Sequence, residues 1–429
     1  MTSKAIHYDF FPDDLQKEVR QAFYNVDFDK NIGERVFFEN AGGSFRLKSV
    51  VEVDQYYAQF PDCPERQHET SLELKSVQHK GLDDIRLLLN AKSGSILPAY
   101  TASMAIFDVT GTIIENVPGT NVVTSCLEHP SAYDACAFYA KKTGKELRIA
   151  AADQTTGRIE VDAITKLIDE NTCVLSIMYA SNLSGAIMDL ETIIAEARKI
   201  KPDLHIVVDA VQHAPHCLID LEKTPVDAMN FAPYKFFGNR GVAFAYVSDR
   251  VAKLPHHKLI AKLENEWELG SPTPSDYASV TAVIDYICWL GSKFNDSADR
   301  RTLIEEGMTK IKYQEMALLD RMLNGTPEIP GMRHMKGITV HFDTEDLSKR
   351  DLILAVSVVG CDCDTLTKLY RDKSIIVYER VSSSPYSARM LESLSLDGVV
   401  RVSPLHCHGP EDVDKFLLVT KEILEGLII

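Results

Sequence analysis

The chain has 429 residues, 45% of them hydrophobic and 25% charged, with a formal net charge of −16. That length is more than one compact core serves and predicts two lobes. The acidic balance argues against nucleic acid or an anionic membrane as the main partner, because both reward clustered Lys and Arg.

The opening stretch, MTSKAIHYDFFPDDLQKEV, has no basic region followed by an apolar one, and no later segment is a long uninterrupted apolar run. Neither a signal peptide nor a transmembrane helix is expected. The middle of the chain then alternates β-rich runs with helical patterns. NVVTS (121–125) reads as a strand, followed by a helix near 132–142, and ELRIAAA (146–152) reads as a second strand. TCVLSIMYA (172–180) is continuously apolar and predicts a strand buried on both faces. DLETIIAEARKI places Leu190, Ile193, Ile194 and Ala197 at helical spacing behind an acidic first turn. LHIVVD (204–209), DAMNF (227–231) and VAFAYV (242–247) add further strands. Such alternation implies an α/β fold, a mostly parallel sheet with helices on both faces.

From about Ser292 the pattern changes to a long helix, RRTLIEEGMTKIKYQEMALLDRML. Strands are expected near GITVHF, SIIVY and GVVRVSP, and a last helix opens at Pro410 with Glu411 and Asp412 in its first turn. The expected division is a large domain over 31–291, a smaller α+β domain over 292–429, and a segment over 1–30 that packs on the smaller one. The nine cysteines are scattered, mostly in apolar runs, which reads as the reduced thiols of a cytoplasmic protein. Cys361 and Cys363 form a C-x-C with no partner pair nearby, so no metal site is expected.

Two residues stand out against this frame. Lys235 lies between apolar runs, flanked by Tyr234, Phe236 and Phe237. Lost hydration there lowers an ammonium pKa and makes a nucleophilic amine, although a lysine whose stem covers apolar surface has the same surroundings. Asp209 ends an apolar strand, at the sheet edge where open α/β folds bind ligands. A pyridine ring bearing an aldehyde would satisfy both groups; a bare Asp–Lys ion pair is the plain alternative. His129, Asn182 and Gly185 follow strands at the same edge, and Gln212 lies one turn past Asp209. Thr101 and Ser103 stand at a helix start suited to phosphate.

With these motifs in view, the chain resembles the fold-type-I pyridoxal-phosphate enzymes, and within them the class V aminotransferase and cysteine desulfurase superfamily. The carrying string is VVDAVQHAPHCLIDL followed by DAMNFAPYKFFGNRGVAFAYV, with FFENAGGS near the start and VVRVSP near the end. The form Ala-x-Tyr-Lys-Phe-Phe-Gly is similar to a cysteine-desulfurase-like and isopenicillin N epimerase-like subgroup. The resemblance implies a large domain with a seven-stranded sheet sandwiched by helices, pyridoxal 5′-phosphate as cofactor and an α-amino acid as substrate. It makes Lys235 the Schiff-base lysine, Asp209 the partner of the pyridine nitrogen, Gln212 a contact of the ring oxygen and His129 the ring that stacks on it. Thr101, Ala102 and Ser103 match the phosphate turn, Tyr234 is a further phosphate donor and Asn182 a further contact. Ser271 resembles a phosphate contact given by the other subunit, which implies a homodimer with shared active sites. Arg401 matches the arginine that grips the substrate carboxylate, with Asn40, Ala41 and Gly42 bordering the substrate; apart from the resemblance, Arg380, Tyr378 and Tyr386 are expected to shape the substrate pocket.

In one respect the sequence departs from the desulfurase pattern. The stretch YERVSSSPYSARMLESLSLDGVVR, where those enzymes carry a nucleophilic cysteine, has none, and Cys361, Cys363 and Cys407 lie outside it. The expectation drawn from this is a β-elimination of the C–S lyase kind without a catalytic cysteine. Transamination and epimerisation are the alternatives, and a non-catalytic protein of the same fold is the reading from another class.

Overall fold

The computed structural model describes residues 8–427. After helix α1 (Asp13–Gln21), the seven strands of the main sheet are β1 (Ser95–Ala99), β2 (Asn121–Ser125), β3 (Glu146–Ala150), β4 (Thr172–Met178), β5 (His205–Asp209), β6 (Ala228–Phe231) and β7 (Ala243–Val247). They lie side by side in the order β1-β7-β6-β5-β4-β2-β3. The pairs β2–β3, β2–β4, β4–β5 and β5–β6 are parallel, and β7 runs antiparallel to both of its neighbours. All strands but β7 therefore point their carboxyl ends to one edge.

Every residue of β4 is buried, as its unbroken apolar run predicts for a central strand. Alternate residues feed two cores. Val122, Val174, Val207 and Ala245 pack against α2 (Ala102–Asn116) and α3 (Pro130–Thr143). Val123, Leu175, Ile206 and Phe244 face the opposite side, toward α4 (Leu190–Ile200) and α5 (Pro274–Ser292).

The helix α6 (Arg300–Asn324) leads into a four-stranded antiparallel sheet. Its strands are β8 (Ile338–Val340), β9 (Leu354–Val358), β10 (Tyr378–Val381) and β11 (Gly398–Val402), in the order β8-β9-β11-β10. Helix α7 (Pro410–Leu427) covers it and shares a separate core with α6 through Phe416, Leu417 and Leu319. The run SIIVY is split: Ile375–Ile376 pairs with Val36–Phe37, and only Tyr378 enters the small sheet.

The N-terminal stretch stitches the lobes together. The side chains of α1 reach the small lobe, with Gln16 Nε2 donating to the Cys407 carbonyl at 2.9 Å and Arg20 Nη1 to Asp412 at 2.6 Å. Its apolar residues Leu15 and Val19, with Phe11 and Phe23 on either side, belong to the main core. No helix among the described residues is long and apolar enough to cross a membrane.

Candidate functional site

The carboxyl edge of the main sheet opens into a cavity of about 240 Å³. Five of the six strands ending there, all but β3, contribute the residues just past their ends. Thr101, Ala102 and Ser103 come after β1, His129 after β2, Ala180 and Asn182 after β4, Val211 and Gln212 after β5, and Tyr234 and Lys235 after β6. Asp209, the last residue of β5, is 8% exposed and also lines it.

Thr101 caps α2, its Oγ1 accepting from the Met104 amide at 3.1 Å. The amides of the following turn are left at the positive end of a fifteen-residue helix. His129 caps α3 and accepts the Ser131 amide on Nδ1 at 3.2 Å, which puts the ring proton on Nε2. Burial, and then the charge of Lys235, lowers His129 to about 4, so the ring is neutral near pH 7. The Asp209 carboxylate takes the Val211 amide at 3.1 Å and Asn230 Nδ2 at 3.4 Å, and burial raises its pKa.

Lys235 ends a short turn, Pro233–Lys235, and its Nζ donates to Gln212 Oε1 at 3.2 Å. Burial first, and the Arg401 charge second, lowers it to about 7 against an ordinary 10.5. Its reactivity toward an aldehyde is therefore expected to rise as pH climbs through 7 and to fade below it. The rate of aldehyde capture measured across pH 5.5–9 checks this; a midpoint left near 10 would show that the amine is solvated. The lysine turn is pinned from the N-terminal loop. Phe237 adopts φ 63, its amide donates to Ser44 Oγ at 2.9 Å, and its carbonyl accepts from Leu47 at 3.1 Å. A left-handed Phe costs about 1–3 kcal/mol and persists because these contacts hold it.

Arg401, in β11, reaches toward the same edge from the small lobe and is 2% exposed. It donates through Nη1 to the Asn182 carbonyl at 2.9 Å and through Nη2 to Glu39 Oε1 at 2.7 Å. Arg380 is buried beside it, lowered to about 10 by burial and by Arg401, and its Nη2 donates to the Tyr386 carbonyl at 2.9 Å. Asn40 and Ala41 tie the N-terminal loop to Ser403 at 3.0–3.1 Å, and the Gly42 carbonyl faces Arg240. Ser271 is not brought to this cavity: it is exposed and donates to Glu65 at 2.9 Å. Cys361 and Cys363 lie at the start of a small-lobe helix, and Cys407 is fully buried.

Three residues of the site escape a reading of the sequence. Arg240 lines the cavity with its guanidinium 4.2 Å from the centre of the Tyr234 ring. Glu39 meets Arg401 across 362 positions. Glu128, next to His129 in the chain, is buried, accepts from Ser125 Oγ at 2.5 Å and is raised by burial to about 8. The dipeptide Glu-His is the only local signal for any of them. Outside the cavity, His213, Cys217 and Asp351 could offer ligand atoms within 4.8 Å of one another. The Lys312 ammonium lies 3.7 Å from Asp351 and already supplies a cation there.

The cavity suits a flat anionic ring. A cationic ring nitrogen is the partner that would hold the buried Asp209 ionised, the α2 terminus with Arg240 suits a phosphate, and Lys235 suits an aldehyde. Two buried acceptors at this edge, Asn182 Oδ1 and Asn230 Oδ1, have no partner among the described residues.

Comparison with known proteins agrees with this geometry. The family model "Aminotransferase class-V" matches residues 36–416. A protein of Borreliella burgdorferi named "Probable cysteine desulfurase" is 24% identical over 91% of this chain and 92% of its own length. A cysteine desulfurase of Haloferax volcanii is 24% identical over 82% and 86%. Among solved structures, the apo cysteine desulfurase of Thermococcus onnurineus superposes with a TM-score of 0.79 at 20% identity, covering 96% of this chain and 98% of that one. The cysteine desulfurase CsdA of Escherichia coli gives 0.77 at 18% identity, covering 96% and 98%.

These relatives overturn the expectation of a C–S lyase outside desulfurase chemistry. That expectation rests on one missing cysteine between Tyr378 and Arg401. A single loop position is a narrow basis when the likeness runs through both lobes of proteins named for desulfuration. With its sheet, its lysine turn and most of its length matched by the family model, the chain belongs to the class-V aminotransferases and is a pyridoxal-phosphate-dependent enzyme.

Proposed function

We propose that the protein is a cysteine desulfurase that binds pyridoxal phosphate at the sheet edge and the α-carboxylate of cysteine at Arg401. The reading is carried by Asp209, Lys235, His129 and the α2 terminus lining one cavity, with Arg401 buried at the same edge. The names of the relatives support cysteine as substrate.

Thr101, Ala102, Ser103, Tyr234 and Arg240 would hold the phosphate, and Asp209, Gln212, His129 and Asn182 the ring. When bound, the cofactor supplies an aldehyde for an amino group and a ring that withdraws electrons from bonds at the substrate carbons. Asp209, fixed by Val211 and Asn230, keeps a proton on the ring nitrogen. His129 presents an uncharged face to the ring. Lys235, an amine over half the time above pH 7, is placed to take and return the proton at Cα. Arg401 fixes the carboxylate and so the bond that faces the ring.

Sulfur passes to a thiol from outside the loop, because Ser382, Ser383 and Ser384 stand there and no cysteine does. Incubation with L-cysteine and dithiothreitol is expected to give alanine and sulfide in equal amounts. Pyruvate and ammonia in place of alanine would overturn the reading.

We further propose a cytoplasmic homodimer that shares its active sites. All nine cysteines are free, which suits a reducing compartment. Tyr100, Met104, Leu269 and Ser271 border a second cavity of about 530 Å³, and Leu269 and the nearby Ile260 are 67% and 101% exposed. Exposed apolar residues gathered in one region mark an interface, and it carries Ser271 toward a neighbour. Light scattering is expected to give twice the chain mass, and Leu269→Asp to give monomers that retain cofactor less well. A monomeric wild type would exclude the shared site.

A further inference from the structure

Glu39 directly precedes the turn Asn40–Gly42, in the loop expected to border the substrate. Its Oε1 accepts from Arg401 Nη2 at 2.7 Å. Its Oε2 and the Nε atoms of Arg401 and Arg380 have no partner among the described residues. Gly42 makes the room: a Cβ built there would lie 2.2 Å from Glu39 Oε1 and 3.3 Å from Arg401 Nη2. Both guanidinium groups are buried, Arg401 at 2% and Arg380 at 6% exposure.

Two buried guanidinium groups thus serve one carboxylate: Arg401 is paired with it and Arg380 lies near enough to feel its charge, as does the Lys235 amine, which burial keeps largely uncharged above pH 7. A single α-carboxylate from the substrate completes the balance. A second anion, on the substrate side chain, would find the remaining charge spoken for and would meet Glu39 in a poorly hydrated space, where like charges repel strongly. Without Glu39 the same two arginines would form a seat for a dianion.

We propose that Glu39 determines specificity: by offsetting one of two buried arginines it admits amino acids with an uncharged side chain and rejects those with a side-chain anion. The assignment rests on the reading of Arg401 as the grip for the substrate carboxylate. Glu39 itself does no chemistry; it sets the charge that the site accepts.

The test is the dissociation constants of L-alanine and L-aspartate, by titration calorimetry on the full-length holoenzyme. Wild type is expected to bind aspartate about tenfold or more weaker than alanine. Glu39→Gln keeps an oxygen for Arg401 and is expected to shift the aspartate-to-alanine ratio about tenfold or more toward aspartate. In Glu39→Gln/Arg380→Gln, with one arginine and no acid, the ratio is expected to return toward wild type. Arg401→Ala separates the two assignments. If it weakens neither amino acid, the Arg401 reading fails and the Glu39 assignment falls with it. If it weakens both while Glu39→Gln leaves the ratio within about threefold, only the Glu39 assignment is overturned. Equal binding of alanine and aspartate by wild type overturns it without any variant.

Discussion

Lys235→Ala is expected to abolish covalent capture of the cofactor and to lower kcat/KM on cysteine by about 10³-fold or more, since one group supplies both the covalent link and the proton transfer at Cα. Borohydride reduction of the wild-type holoenzyme should leave a stable label on the peptide carrying Lys235, and the variant should take none. The fold is expected to survive. The amine is buried with a single hydrogen bond, to Gln212, and burial already disfavours its charge. Removing a desolvated charge costs less than creating one, so the melting temperature should hold or rise. A variant labelled at full yield would remove Lys235 from the chemistry, and with it the assignment of the turn at Pro233–Lys235.

Arg401→Ala is expected to raise KM for cysteine by about 100-fold, the loss of a buried charge-assisted pair of hydrogen bonds, while cofactor affinity stays within about threefold. Arg401→Lys should recover little, because an ammonium cannot span the two contacts that the guanidinium makes to Asn182 and Glu39. Stability should also fall, by about 3 kcal/mol, because Glu39 is left buried beside an empty space. Parallel loss of cofactor and substrate binding would mean that Arg401 only holds the lobes together. Glu39 sharpens the comparison, since burial raises its pKa against the pull of Arg401. Without that arginine it takes up a proton more readily, so the stability loss should shrink as pH falls through the raised value.

Much of the site is legible in the sequence because its residues come directly after strands. The unbroken apolar run of β4 and the terminal Asp209 of β5 mark the sheet and its functional edge without any partner being known. Lys235 is legible for the same reason, as a charge among aromatics. Two strands are not. Ser95–Ala99 contains Pro98 and is not among the expected strands, yet it is an edge strand, where a missing amide is tolerated. Leu354–Val358 lies in a longer apolar run without alternation, because it is central in the small sheet and covered on both sides. Glu39 and Arg240 stay hidden for another reason: each gains its meaning from a contact 362 or 198 positions away, and no local pattern records such a pair.

The stitching of α1 across both lobes has a consequence for synthesis. Gln16 is bonded to Cys407, 391 positions later, and Phe11 to Gln314, 303 positions later. At about 5–20 residues per second the ribosome takes roughly 20–80 s to deliver the later partner of Gln16. Through that interval the polar contacts of α1 to the small lobe stay unmade, while Phe23 can already meet Phe237 and Tyr286, and Phe11 can meet Phe294. Full docking of α1 therefore waits for Cys407 and its neighbours.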